Sequence, residues 1–296
     1  MNSSAALNSD FAWPLWDKLP LVGAFELDQS DGTLDRAVVH DVSRPWLFGY
    51  KPTKDSNGRA VLVLGGGGYT QLMVGREGIA VARWLADLGF SAFVLAHRFP
   101  NAETGPQAPL DDARQALRRI QESGSAPRGL GVCGLSSGGH LAAALLAEYP
   151  VVWAPAGAEA PVPKPAFAVI GYGPISTNAK GRTIVPDKPA LEPPAKQALY
   201  DTVVPDEQLA RPAPPTFIVY SANDPIVPVV NAYRLAEGVR KAEGAVELHV
   251  FANAPHGFAM DTEGLPVSKW PSLCEAWMRQ HGLLEGYADE RLFIKN

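Results

Sequence analysis

Gly129-Leu130-Gly131-Val132-Cys133-Gly134-Leu135-Ser136-Ser137-Gly138-Gly139-His140-Leu141-Ala142 is the stretch from which the rest of the chain can be ordered. A short apolar run, 130–133, breaks into G-x-S-x-G and continues as an Ala/Leu-rich helical segment over 141–149. Strand, glycine-flanked serine and helix, in that order, build a turn that exposes a nucleophile. Gly134 and Gly138 lack a Cβ, so the chain can reverse sharply and push the Ser136 hydroxyl out at the strand's C-terminal end. Five residues match ordinary Gly/Ser turns as well, so the serine acquires meaning only through partners elsewhere in the chain.

Upstream and downstream, apolar runs alternate with helical periodicity. Residues 60–64, Ala-Val-Leu-Val-Leu, form a continuous run of the kind a strand buried on both faces of a parallel sheet requires. Val81, Trp84, Leu85 and Leu88 then fall at i, i+3, i+4 and i+7, with Gly89 as a C-cap. Residues 91–96 repeat the strand signal, and Leu110, Ala113, Leu117 and Ile120 mark a helix ending near Gly124. Strands are also predicted at 38–42, 46–50, 166–171, 216–221 and 246–251. Two further helices follow from Ala232, Leu235, Ala236 and Val239, and from Leu273 and Trp277 after Pro271. This is the alternation of an α/β fold with a mostly parallel, doubly wound sheet in a single domain over 1–296. Residues 1–22 read as an N-terminal arm, and the proline-crowded stretch 172–215 as a short cap.

Composition narrows the partners. A net charge of −5 without runs of like charge offers no footprint for nucleic acid or an anionic membrane, so a small molecule is the expected partner. Cys133 and Cys274 lie in apolar or helical patterns and are expected to be buried and reduced. The first twenty residues hold one basic residue, Lys18, and no apolar core of a leader, which makes cytoplasmic the default expectation.

A serine hydroxyl needs a histidine base and a carboxylate to orient it. Asp224 sits just past the 216–221 strand and His256 just past the 246–251 strand. Both would meet Ser136 at the carboxyl edge of one parallel sheet. His140, one turn beyond Ser136, reads as a packing residue, because the base must approach from a separate loop. His40, His97, His249 and His281 show no metal spacing, and no metal is expected. Asp111 and Asp112 open a helix, where carboxylates satisfy free N–H groups. Gly65 to Gly68 lacks the third glycine of a nucleotide loop, so no cofactor is called for; its amides, with that of Ser137, fit an oxyanion site.

With these residues in view the chain resembles the α/β-hydrolase superfamily, and within it the esterases related to acetylxylan esterase and the feruloyl-esterase-like enzymes. The resemblance runs over about 59–280. It rests on Gly65-Gly66-Gly67-Gly68-Tyr69, Glu77-Gly78, Pro109-Leu110-Asp111-Asp112-Ala113, the elbow from Gly134 to Ala142, Pro214 to Pro228, and His256-Gly257-Phe258. Ser137 stands where these relatives carry alanine, and Gly65 where they carry Pro or His. The resemblance implies a cofactor-free serine carboxylic-ester hydrolase for small-acyl esters, with acetylated sugars as the expected substrates. The triad is then Ser136, Asp224 and His256, and the oxyanion donors are the amides of Gly67, Gly68 and Ser137. Tyr69, next to the glycine loop, is expected to narrow the acyl side. A prolyl-oligopeptidase-like peptidase and a non-catalytic binding protein on the same fold are the alternatives.

Overall fold

The computed structural model describes residues 6–16, 21–148, 161–182, 184–185 and 187–284. The chain opens with strands β1 (Phe11–Pro14), β2 (Glu26–Asp28), β3 (Val38–His40), β4 (Trp46–Tyr50) and β5 (Ala60–Leu64). Helix α1 (Ala80–Asp87), β6 (Ser91–Ala96), α2 (Ala108–Glu122), β7 (Leu130–Leu135), α3 (Ser137–Ala144) and β8 (Ala168–Gly171) follow. The last part holds α4 (Pro194–Thr202), α5 (Pro205–Gln208), β9 (Thr216–Ser221), α6 (Val230–Lys241), β10 (Val246–Phe251) and α7 (Trp270–Gln280).

Eight strands form one sheet in the order β1-β4-β6-β5-β7-β8-β9-β10; β4 runs antiparallel to both its neighbours, β1 and β6, and the remaining neighbours are parallel. The continuous apolar runs explain the centre. Val61, Leu62, Val63 and Leu64 are each at most 1% exposed. Burying each contributes about 1.5–3 kcal/mol relative to leaving it in water. This is the α/β-hydrolase arrangement expected from the elbow.

Chain order places the site. From β5 the chain moves to β6 on one side and then crosses to β7 on the other. The crevice outside the carboxyl ends of β5 and β7 is therefore the switch point, where open parallel sheets bind ligands. Leu64 pairs with Gly134, so the glycine loop after β5 and the serine after β7 leave the sheet side by side.

Several local expectations change. The N-terminal arm contains an edge strand, β1, whose Phe11 and Trp13 rings pack against Phe93. The stretch 172–215 contains α4 and α5, each entered through a proline in its first turn. Helix α3 ends at Ala144, short of the predicted 149, which lies outside the described residues, as do parts of the arm. Cys133 and Cys274 are free and buried. Among the described residues no helix is long and apolar enough to cross a membrane.

Candidate active site

Ser136 sits between β7 and α3 at φ 53°, ψ −127°. A non-glycine residue held there stores roughly 1–3 kcal/mol of backbone strain, which the flanking packing must offset. The packing is close enough to require glycine on either side. A Cβ on Gly134 would stand 2.1 Å from the Gly138 carbonyl oxygen, and one on Gly138 would stand 2.0 Å from that of Leu64. Without those methyls α3 presses onto the sheet and the serine is left at the crest of the turn.

Asp224 and His256 reach it from the loops after β9 and β10. Ser136 Oγ lies 2.9 Å from His256 Nε2, and His256 Nδ1 lies 2.7 Å from Asp224 Oδ2. Facing the carboxylate, Nδ1 carries the proton, which leaves Nε2 as the acceptor for the serine O–H. The other Asp224 oxygen accepts the amides of Ile226 at 2.8 Å and Val227 at 2.9 Å, so the carboxylate is fixed on both sides. The two loops are stitched together as well. Ser221 Oγ accepts the Ala254 amide at 2.9 Å, and Asn223 Nδ2 donates to Asn253 Oδ1 at 2.7 Å.

The glycine loop divides its amides. Gly66 N–H donates to Glu77 Oε2 at 2.7 Å and Gly68 N–H to Ser137 Oγ at 2.9 Å. Gly68 is thus removed from the expected oxyanion donors, because its N–H is already donated to the Ser137 hydroxyl. The amides of Gly67 and Ser137 donate to no protein acceptor among the described residues. Gly67 holds φ +134°, and a Cβ there would meet the Gln71 carbonyl oxygen at 2.2 Å.

Tyr69 also departs from expectation. It is 1% exposed, so it lines no open acyl pocket. At φ 61° its ring turns inward, packing on His97, His140 and Tyr200, and its hydroxyl meets His140 Nδ1 at 2.9 Å. His140 Nε2 donates to the Val203 carbonyl at 2.9 Å, and burial lowers its pKa to about 4. It is a neutral packing histidine. Asp112 has a structural part too, accepting the Arg98 amide and guanidinium and Trp16 Nε1 instead of helix amides.

Glu77 is the residue that sequence reasoning left without a role. It lies in a π-helical turn, Val74–Ile79, and is 4% exposed. Its Oε1 accepts the Tyr172 hydroxyl at 3.1 Å, and that hydroxyl accepts the Ala259 amide at 3.2 Å. Burial pushes the Glu77 carboxyl above its usual range, opposed by the Gly66 amide, the Tyr172 hydroxyl, His256 and Arg76. Arg76 pairs with Asp261 and donates to the Gly257 carbonyl at 2.9 Å, tying the same turn to the histidine loop. Local sequence gives little sign of this, because Glu77 stands among Gly75, Arg76 and Gly78; π-helical turns are frequent at functional sites, which fits its position. Among the described residues no group of three or more His, Cys, Asp or Glu side chains is placed to hold a metal ion.

A family model described as the prolyl oligopeptidase family matches residues 102–281, more than half of the chain. The chain belongs to the prolyl oligopeptidase family. The matched span of this prolyl oligopeptidase family member includes Ser136, Asp224 and His256 but begins after the glycine loop and Glu77. An acetylxylan esterase from Xylanibacter ruminicola is 26% identical over 221 residues, covering 71% of this chain and 43% of the relative. An endo-1,4-beta-xylanase B from Butyrivibrio fibrisolvens is 27% identical over 228 residues, covering 73% and 35%. The chain therefore spans less than half the length of either relative. Among solved structures, an acetyl ester-xyloside bifunctional hydrolase from Caldicellulosiruptor lactoaceticus superposes with a TM-score of 0.70 at 27% identity, covering 93% of this chain and 98% of that one.

Proposed function

We propose that this chain is a serine carboxylic-ester hydrolase for small-acyl esters, with acetylated sugars as its substrate class. The observation that carries the reading is the unbroken relay from Ser136 Oγ to His256 Nε2 at 2.9 Å and from Nδ1 to Asp224 Oδ2 at 2.7 Å, at the sheet's switch point. In this reading Ser136 attacks the ester carbonyl as His256 takes its proton, and Asp224 stabilises the imidazolium. The amides of Gly67 and Ser137 receive the developing oxyanion. Return of the proton to the alcohol oxygen releases the alcohol and leaves an acyl-serine, which water cleaves by the same steps in reverse. Support for a small acyl group comes from the likeness to an acetylxylan esterase and an acetyl ester hydrolase, since Tyr69 is no longer available as a wall.

A peptidase reading has the family description in its favour. The two separate on substrates. An ester hydrolase of this kind cleaves p-nitrophenyl acetate, favours it over the octanoyl ester and leaves dipeptide amides intact, while labelling of Ser136 by an organophosphate separates either enzyme from a non-catalytic protein. Faster cleavage of dipeptide amides would give the site to the peptidase reading, and an optimum at six or more carbons would remove the small-acyl class.

A further inference from the structure

Lys196 occupies a position that structure alone does not reward. It lies in the first turn of α4, which carries no acidic residue, and there the helix dipole opposes a cation. The side chain is half-buried, and among the described residues its ammonium makes no hydrogen bond or ion pair. Its Nζ stands 3.8 Å from where a Cβ on Gly68 would be. The charge therefore borders the loop whose Gly67 amide is free and whose Gly68 amide holds Ser137.

A second cation extends it. Lys188 is close enough to Lys196 for the two charges to act on each other, and among the described residues its Nζ finds only the neutral Asn178 Oδ1. Lys188 lines an open cavity of about 270 Å³ together with Lys180 and Arg182. Arg182 is neutralised by Asp206 and Glu207. Asp187 lines the same cavity, Asp201 accepts the Lys180 amide and Gln197 Nε2 through Oδ1, and among the described residues neither carboxylate pairs with Lys196 or Lys188. Burial lowers the proton affinity of Lys196 and, with Lys196 beside it, of Lys188, so both charges are held at a cost. In a chain of net charge −5, an ammonium group beside the glycine loop with a second behind it, neither paired with a carboxylate among the described residues, matches an anion.

We propose that Lys196, backed by Lys188, binds a carboxylate on the alcohol portion of the substrate, so that the preferred esters are acetyl esters of acidic alcohols such as sugar acids. The inference rests on the ester-hydrolase reading: an acetyl group has no place for a second charge, which puts the carboxylate on the alcohol.

The test is a ratio. kcat/KM is measured for 4-acetoxybenzoate and for its neutral counterpart 4-acetoxybenzamide, with the wild type and with Lys196→Met, Lys196→Glu and Lys196→Arg. Intrinsic reactivity of the two esters cancels when the anionic-to-neutral ratio is compared between proteins. The ratio should fall about tenfold or more in Lys196→Met, as for loss of a charge-assisted hydrogen bond, fall further in Lys196→Glu and survive in Lys196→Arg. In the wild type, which needs no variant to fold, the ratio should also decline as salt is added. A ratio that neither the substitutions nor salt alters, while the neutral ester is still hydrolysed, overturns the carboxylate site and leaves the hydrolase reading standing. Hydrolysis of neither ester by the folded wild type brings down both.

Discussion

Glu77 accepts the Gly66 amide through one oxygen at 2.7 Å and the Tyr172 hydroxyl through the other at 3.1 Å. Tyr172 in turn sets its ring edge-on to that of His256, with centroids 5.2 Å apart. One buried carboxyl thus connects the glycine loop with the His256 loop, the two loops to which the proposed oxyanion donors and base belong. In the proposed mechanism both contacts orient groups that act on the substrate.

Glu77→Gln should therefore lower kcat more than it changes KM. A carboxamide exchanges one acceptor for a donor, so the Gly66 amide or the Tyr172 hydroxyl loses its partner and the loop shifts. A misplacement on the order of 1 Å costs about a hundredfold in rate, and a loss between about tenfold and a hundredfold is expected. Steady-state kinetics on p-nitrophenyl acetate, with thermal unfolding as the folding control, checks this. A kcat within twofold of wild type would mean that other contacts hold the glycine loop.

Ser137 acts through its backbone in this account, and its hydroxyl only steadies Gly68 at 2.9 Å. Ser137→Ala removes one hydrogen bond worth about 1 kcal/mol and keeps the amide in place. The variant should retain at least a tenth of the wild-type kcat/KM. A hundredfold loss would show that the hydroxyl, or the Gly68 orientation it imposes, belongs to the catalytic step.

His140 predicts a pH dependence of stability. Its pKa is lowered to about 4 in the fold by burial, against 6.5 in an unperturbed histidine. Between those values the unfolded chain binds a proton that the native state refuses, so stability falls as pH drops through this window and is fully present above it. The loss at pH 5 relative to pH 7.5 is on the order of 2 kcal/mol from this residue. Urea unfolding at the two pH values should show a steeper decline for the wild type than for His140→Gln. Parallel declines would mean that His140 is protonated in the native protein.

What could be read from the residues alone followed the strength of the local signal. Strands β5, β6, β9 and β10 are apolar or alternating runs of five or six residues with turn residues beyond them, and their bounds match the sequence reading. Strand β1 is four half-buried residues ending in proline, stabilised by pairing with β4 and stacking on Phe93, neither of which leaves a local trace. Proline at the first turn of α4 looked like punctuation, although that position tolerates it. The meeting of Ser136, Asp224 and His256 was legible because each follows a strand whose end faces the same edge. Gly68 and Tyr69 were misread because their roles depend on contacts across the fold. The Gly68 amide is claimed by a hydroxyl 69 residues away, and a positive φ turns the Tyr69 ring into the core.

The most direct test of the central claim is the rate of p-nitrophenyl acetate hydrolysis by Ser136→Ala. The hydroxyl lies at the crest of a turn and its loss removes little packing, so the variant should unfold at the wild-type temperature. Its kcat/KM should be lower by about 10⁴-fold or more, as when the nucleophile of such a relay is removed. A folded Ser136→Ala protein that retains more than a tenth of the wild-type rate would contradict the assignment of this site.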